Sequence, residues 1–304
     1  MPLAFRLPAS VANRLHPTHL AAAAVRIGSA LLILGGSLLF AGDAPGLRFE
    51  SPAQRVTLLE LFTSEGCSSC PPAETWLTRM ERSPTLWREF VPVAFHVDYW
   101  DNDAWRDAWS QSAFSERQRQ YAAHGRSENV YTPGFFVNGH EWRGWFQGRA
   151  ALPVDRRAAG TLTLRSGDTN RWQATWTPVG AAGAAPWLQV ALLGGGLNSD
   201  VGGGENRGRR LRHDFAVLEF RSLPLARSGD GWQTTVILAP TAARRPVEST
   251  RALAAWISAG EHGDPIQATG GWLLPPAPAV ATGAPANRPT TAPRETNAPT
   301  GRPR

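Results

Sequence analysis

The hydrophobic pattern between residues 54 and 148 alternates apolar runs of strand length with stretches of helical composition. Residues 55–62 and 91–97 are nearly continuous apolar runs, which is typical of strands buried on both faces. Each run is followed by a predicted helix, over residues 70–80 and residues 104–123. Two prolines near the start of the first helix suit its first turn.

The chain next shows the pattern of a β-hairpin. Residues 134–137 and 141–145 are predicted strands, and Asn138 followed by Gly139 is a favoured two-residue turn between paired strands. The order strand, helix, strand, helix, strand, strand predicts an α/β fold with a mixed sheet flanked by helices. We therefore expect residues 54–150 to form one α/β domain.

After residue 160 the helical pattern gives way to short strand-like runs separated by Gly, Pro, Asn and Asp. The runs are residues 161–165, 172–177, 188–193, 216–221, 232–238 and 252–257. This spacing is typical of a small β-sandwich. We expect residues 160–274 to form a second, smaller and mostly β domain.

The two ends of the chain differ in composition from the middle. Residues 27–42 carry no charge and follow a basic stretch, so residues 1–42 are predicted to be a signal peptide or a membrane anchor. Either alternative predicts a periplasmic or secreted protein, with a tether to the inner membrane through residues 27–42 if they are not removed. Residues 275–304 contain eight prolines and are predicted to be a disordered tail.

The charge and the residue types exclude several classes of function. The net charge of +6 comes from the ends, since residues 1–42 hold three arginines and no acid, and residues 275–304 hold four arginines and one glutamate. A nucleic-acid-binding protein needs a basic face on its folded part, so we expect no nucleic-acid partner. The chain has no lysine, which excludes a lysine Schiff base and the phosphate-binding P-loop.

The only two cysteines, Cys67 and Cys70, form a C-x-x-C motif directly after a predicted strand and at the start of a predicted helix. A helix N-terminus stabilises a thiolate, the form of cysteine that attacks disulfides. We interpret Cys67 as the attacking thiol and Cys70 as the resolving thiol of a redox dithiol. Two other interpretations stay open, namely an inert disulfide staple and a pair of metal ligands.

Three segments carry a resemblance to a known family. They are TSEGCSSCPPA at residues 63–73, HVDYWD at residues 96–101 and YTPGFFVNG at residues 131–139. The sequence resembles a family of secreted bacterial proteins, a domain of unknown function with a thioredoxin-like fold within the thioredoxin superfamily. The resemblance covers about residues 54–274. It implies a thioredoxin-like mixed sheet, no organic cofactor, and thiols or disulfides of proteins or small molecules as partners.

The resemblance also implies roles for individual residues. Thr132 and Pro133 match a pair that ends in a cis-proline, lies against the dithiol and binds an extended substrate. Glu60 matches a buried acid beneath the dithiol, where burial would raise its pKa and allow it to relay the proton of Cys70. The alternative for Glu60 is a structural ion pair with an arginine. His96 could bind copper or zinc together with Cys67 and Cys70, or simply form structural hydrogen bonds.

The sequence therefore predicts an extracytoplasmic thiol–disulfide oxidoreductase that acts through Cys67 and Cys70. One alternative is a thioredoxin-like copper-binding module with Cys67, Cys70 and His96 as ligands. Another alternative is an interaction module in which the dithiol is inert. The direction of electron transfer is left open, because Ser68 and Ser69 between the cysteines match neither thioredoxin nor the strongly oxidising relatives.

Overall fold

The computed structural model describes residues 46–149, 151–167, 170–180, 185–238 and 250–274. The predicted signal or anchor segment (1–42) and the predicted tail (275–304) lie outside the described residues. None of the helices in the described ranges has both the length and the apolar character of a membrane span.

The described ranges contain two α-helices and fifteen β-strands, and a 3-10 segment, Arg79–Arg82, continues the first helix. The helices are α1 (Cys70–Thr78) and α2 (Ser112–Ala123). The strands are β1 (Arg48–Glu50), β2 (Thr57–Thr63), β3 (Phe90–His96), β4 (Gly134–Val137), β5 (His140–Glu141), β6 (Thr161–Ser166), β7 (Arg171–Thr177), β8 (Pro186–Gly195), β9 (Leu197–Asp200), β10 (Arg210–His213), β11 (Ala216–Pro224), β12 (Ala226–Ser228), β13 (Gly231–Ile237), β14 (Thr250–Ala259) and β15 (Pro265–Leu274).

Most strands belong to two sheets. The larger has eight strands in the order β15-β14-β8-β11-β3-β2-β4-β5, and the smaller has five in the order β1-β6-β7-β13-β12. Strand β3 runs parallel to both of its neighbours, β2 and β11, whereas the other pairs are antiparallel. The pair β9 and β10 forms a separate two-stranded ribbon.

The predicted α/β fold with flanking helices and a smaller β domain is wrong. The described protein is mostly β, and its two α-helices have only nine and twelve residues. Residues 160–274 supply β8, β11, β14 and β15, which extend the same sheet that contains β2 and β3 from residues 54–150. A continuous apolar run predicts a buried strand but does not specify its neighbours, so the sequence pattern could not show that both ranges share one sheet.

The second predicted helix, residues 104–123, is helical only from Ser112 onward. Polar side chains hold the preceding segment in turns. Asn102 Oδ1 accepts from the N–H of Ala104 at 2.9 Å, Asp101 Oδ1 accepts from the N–H of Asp107, and Asp107 Oδ1 accepts from the N–H of Trp109. Such local bonds compete with helical hydrogen bonding and shorten α2.

Both faces of the large sheet are buried at β14, whose side chains alternate between two cores. Ala252, Ala254 and Trp256 belong to the core that contains α2, while Leu253, Ala255 and Ile257 pack with residues of the five-stranded sheet. Successive strand residues point to opposite faces. The smaller sheet therefore covers one face of the larger as in a β-sandwich.

A buried glutamine joins the last strand to the beginning of the large sheet. Gln267 of β15 accepts a hydrogen bond at Oε1 from the N–H of Val56 at 2.8 Å, across 211 residues of sequence. Its Nε2 donates to the carbonyls of Pro52 and Gly160 at 2.9 and 2.6 Å. The N–H of Val56 and the carbonyl of Gly160 are buried, where a polar group without a partner is costly.

Helices α1 and α2 contact opposite faces of β2. Thr63 of β2 bonds to Glu74 of α1, whereas Glu60 of β2 accepts hydrogen bonds from Arg117 Nε at 2.8 Å and from Tyr121 Oη at 2.7 Å, both on α2. The Arg117 guanidinium also lies 5.2 Å from the ring centre of Trp256. Arg117 thus neutralises a buried carboxylate and ties α2 to the sheet.

We predict that Arg117→Ala lowers the free energy of unfolding by about 3–5 kcal/mol, because it leaves the carboxylate of Glu60 buried without a cation. Urea denaturation of the full chain measures the change. The matched control is Arg119→Ala on the same helix, where the arginine side chain is 50% exposed and a change within about 0.5 kcal/mol is expected. Equal effects of the two substitutions would contradict the assigned role of Arg117.

Candidate functional site

Cys67 and Cys70 lie in the turn that connects β2 to α1. The turn is closed by hydrogen bonds from the N–H of Cys67 to the carbonyl of Ser64 and from the N–H of Cys70 to the carbonyl of Cys67, both 3.2 Å. Cys70 is the first residue of α1, so Cys67 lies three residues before the start of the helix. Both cysteines are free thiols with at most 1% of their surface exposed, whereas Ser68 and Ser69 between them are exposed.

The two thiols differ in acidity. A hydrogen bond from Cys70 is the main reason why the pKa of Cys67 falls to about 6, against the opposing effect of burial. The hydroxyls of Ser69 and Thr132 assist, and Ser69 Oγ lies 3.3 Å from Cys67 Sγ. Burial raises the pKa of Cys70 far above its usual value. At neutral pH this arrangement favours a Cys67 thiolate next to a Cys70 thiol.

The structure brings Thr132 close to the dithiol, and Pro133 follows it directly in the chain. The Thr132–Pro133 peptide bond is cis. Thr132 Oγ1 accepts a hydrogen bond from Trp100 Nε1 at 2.8 Å, and its hydroxyl lowers the pKa of both thiols. The turn predicted at Asn138 and Gly139 is also present, with positive φ angles of 51° and 85° at the two residues.

Glu60 is not brought to the dithiol by a direct contact. Both of its oxygens are bonded to Arg117 and Tyr121 on the α2 side of the sheet. This geometry corresponds to the structural ion pair, one of the two interpretations of Glu60 that the sequence leaves open. The acid connected to the dithiol is instead Glu74, because the hydroxyl of Thr63 contacts Cys70 and donates to Glu74 Oε1 at 2.6 Å.

A buried cluster of histidines and carboxylates lies next to the dithiol turn. At its centre is His213 of β10, whose Nδ1 lies 2.5 Å from Glu74 Oε2 and whose Nε2 lies 3.1 Å from Glu65 Oε1. Trp105 Nε1 donates to the other oxygen of Glu65 at 2.9 Å. His213 therefore links the turn that carries the cysteines to helix α1.

His96 occupies the same cluster from the end of β3. Its Nδ1 donates to Asp107 Oδ2 at 2.7 Å, and that oxygen also accepts from the N–H of Glu65 at 2.9 Å. The rings of His96 and His213 meet edge to face with centres 4.9 Å apart. One potential ligand atom from each of Glu74, His96 and His213 lies within 4.8 Å of the other two, and among the described residues this group does not include either cysteine.

Charge compensation dominates the protonation of this cluster. Burial opposes the charged form of His213, but the carboxylates of Glu74 and Glu65 outweigh it and raise the pKa of His213 to about 10. Asp107 likewise raises the pKa of His96 against the effect of burial. His96 in turn holds the pKa of Asp107 below its usual value.

The loop at residues 201–208 covers the dithiol turn. Asn206 Nδ2 donates to the carbonyls of Glu65 and Cys67 at 2.9 and 2.8 Å. Glu205 Oε2 accepts from the N–H of Ser68 at 2.9 Å. Gly204 has a φ of +69°, and a side chain there would lie 3.6 Å from Gly66 Cα. The loop thus holds the backbone on both sides of Cys67.

Four residues of this site, Glu65, Glu74, Asp107 and His213, were not singled out from the sequence. The spacing could have indicated Glu74, because it follows Cys70 by one helical turn and therefore lies on the same face of α1. His213 had none, since it lies 139 residues from Glu74 and is positioned by β10. Its partners become apparent only when the chain is folded.

A family model described as "Protein of unknown function (DUF1223)" matches residues 58–257, about two thirds of the chain. The chain belongs to this family. The DUF1223 match spans the dithiol, Thr132 and the histidine–carboxylate cluster, so the whole candidate site lies within the region that defines the family. It also spans the strands that the sequence pattern assigned to two separate domains.

Two solved structures are similar to this DUF1223 protein. One is the X-ray crystal structure of protein AGR_C_4864 from Agrobacterium tumefaciens, with 22% identity, a TM-score of 0.48, and coverage of 74% of this chain and 97% of that one. The other is HBP35 of Porphyromonas gingivalis, with 15% identity, a TM-score of 0.50, and coverage of 78% and 82%. The comparison with curated proteins found no match. At these identities the likeness concerns the fold alone.

We predict that alkylation of Cys67 by a small reagent rises with pH around a midpoint of about 6, because its thiolate is stabilised by Cys70, whereas an ordinary cysteine titrates near 8.5. Mass spectrometry of the alkylated peptide over a pH series measures this. The Cys67→Ser variant is the control and should remain unmodified, since burial keeps Cys70 protonated. A midpoint above 8 for Cys67 would show that the thiolate is not stabilised.

Proposed function

We propose that this protein is a thiol–disulfide oxidoreductase that works outside the cytoplasm and uses Cys67 as its nucleophile. The observation that carries the proposal is the placement of both thiols in the turn that leads into α1, with Ser69 Oγ 3.3 Å from Cys67 Sγ. There the neighbouring Cys70 lowers the pKa of Cys67 to about 6, and burial raises the pKa of Cys70. The hydroxyl of Thr132, from a different part of the chain, lowers the pKa of both thiols. An inert staple would need neither this difference in acidity nor a hydroxyl donor beside the thiolate.

The reaction is a pair of exchange steps that balance. The Cys67 thiolate attacks one sulfur of a partner disulfide, forms a mixed disulfide and releases the other partner sulfur as a thiolate. Cys70 then gives up its proton to a released thiolate and attacks Cys67 Sγ. The internal disulfide forms, the second partner thiol leaves, and two electrons have passed to the partner. The reverse sequence oxidises a partner dithiol.

The surface near the dithiol restricts how a partner can approach. Cys67 has 1% of its surface exposed, whereas Ser68 and Ser69 are exposed. A partner therefore approaches on the face formed by the two serines. Partners of this kind are thiols and disulfides of proteins or small molecules. The composition of residues 1–42 supports the extracytoplasmic location, which suits the proposal because disulfides persist outside the cytoplasm.

We predict that the wild-type chain exchanges disulfides with oxidised glutathione and that Cys67→Ser abolishes the exchange, because it removes the attacking sulfur. Cys70→Ser is the matched variant, and it should stop at the mixed disulfide between Cys67 and glutathione, because the resolving thiol is missing. Intact-mass spectrometry after acid quenching detects that adduct. A wild-type chain that exchanges no faster than Cys67→Ser would make the protein a non-catalytic module with an inert dithiol.

A further inference from the structure

His96 has one ring nitrogen without a partner. Its side chain is 1% exposed, its Nδ1 is bonded to Asp107, and among the described residues its Nε2 has no hydrogen-bond partner. A buried nitrogen with no partner is costly and rare in a folded protein. Since Asp107 occupies Nδ1, Nε2 is the nitrogen of His96 that remains for a ligand, and an ion that binds there displaces any proton on it.

His213, in contrast, has a carboxylate partner at each of its ring nitrogens. Glu65 accepts the hydrogen bond from its Nε2, which leaves Nδ1 directed at Glu74 Oε2. Asp107 thus anchors Nδ1 of His96, and Glu65 anchors Nε2 of His213 while Glu74, a candidate ligand itself, faces the other nitrogen. A carboxylate that orients the remote nitrogen of a histidine is the usual support of a metal-binding imidazole.

We propose that Glu74, His96 and His213 form a binding site for one divalent transition-metal ion, of which Zn²⁺ is the representative. Two imidazole nitrogens and one carboxylate oxygen are a donor set that zinc uses in open, catalytic-type sites. Potential ligand atoms of the three residues already lie within 4.8 Å of one another. The ligands come from α1, β3 and β10, so the fold rather than a local motif assembles the site.

Binding requires one local rearrangement. His213 Nδ1 and Glu74 Oε2 are 2.5 Å apart, with a proton between them. An ion with zinc–ligand distances of about 2.0–2.2 Å replaces that proton and moves the two atoms apart by roughly 1 Å. Glu74 Oε1 keeps its bond to Thr63, and the three carboxylates of Glu65, Glu74 and Asp107 compensate the charge of the ion.

The site is separate from the dithiol although the two are neighbours. Thr63 connects Glu74 to Cys70, but neither thiol belongs to the group of potential ligands around His96. This ligand set differs from the copper site of Cys67, Cys70 and His96 that the sequence allows. A cysteine-free variant therefore distinguishes the two sites and tests the metal centre without reference to thiol exchange.

The test is metal binding by the full chain after treatment with a chelator. We expect the wild type and the double variant Cys67→Ser/Cys70→Ser each to bind one Zn²⁺ per chain in titration calorimetry. The Co²⁺ form of both should show bands of nitrogen and oxygen coordination without a thiolate charge-transfer band. His96→Ala should lose stoichiometric binding, whereas His140→Ala, at a histidine whose side chain is 63% exposed, should retain it.

Two further measurements keep the proposal falsifiable if His96→Ala does not fold. Asp107→Asn keeps the size of the supporting residue and should weaken Zn²⁺ binding about 10–100-fold. The cobalt spectra compare the wild type with the double cysteine variant, and both proteins keep Glu74, His96 and His213. The proposal is overturned if the wild type binds no stoichiometric Zn²⁺, or if the double cysteine variant loses the metal.

Discussion

Three carboxylates, those of Glu65, Glu74 and Asp107, lie in the interior beside the ends of β2 and β3, where a charge without a partner costs several kilocalories per mole. The surrounding structure supplies the partners. His213 bridges two of the acids, His96 bonds to the third, and the indole of Trp105 donates to Glu65. Because these groups come from separate segments, charge compensation determines how β3, β10 and α1 meet around the dithiol.

The dithiol depends on this arrangement. The turn that holds Cys67 is bonded on one side to Asn206 and on the other, through Glu65, to the buried histidines. Cys70 begins a helix that is anchored one turn later by Glu74. The pKa values of the two thiols can therefore stay different, because neither thiol can move away from the hydroxyls and backbone groups that determine its pKa. The polar cluster is the rigid support of the reactive pair.

Local sequence signals predicted the local features and not the assembly. The apolar runs before Cys67 and before His96 became β2 and β3, and the turn at Asn138 and Gly139 is present. The division into two domains could not be judged from the same signals, because strands of one sheet and strands of two sheets have the same periodicity. Glu60 and Glu74 are both buried acids close to the cysteines in sequence, and only the packing of α1 and α2 shows which one is connected to Cys70.

The hydrogen bonds of Gln267 restrict how far the sheet can fold while the chain is being synthesised. Gln267 satisfies the N–H of Val56 at the start of the dithiol-bearing sheet, yet it is synthesised 211 residues later. Contacts between residues so far apart in the sequence form late, and they make folding slower. The nascent chain therefore carries its two thiols in an unfinished sheet for most of its synthesis, because β15, which holds Gln267, is the last of the described strands to be made.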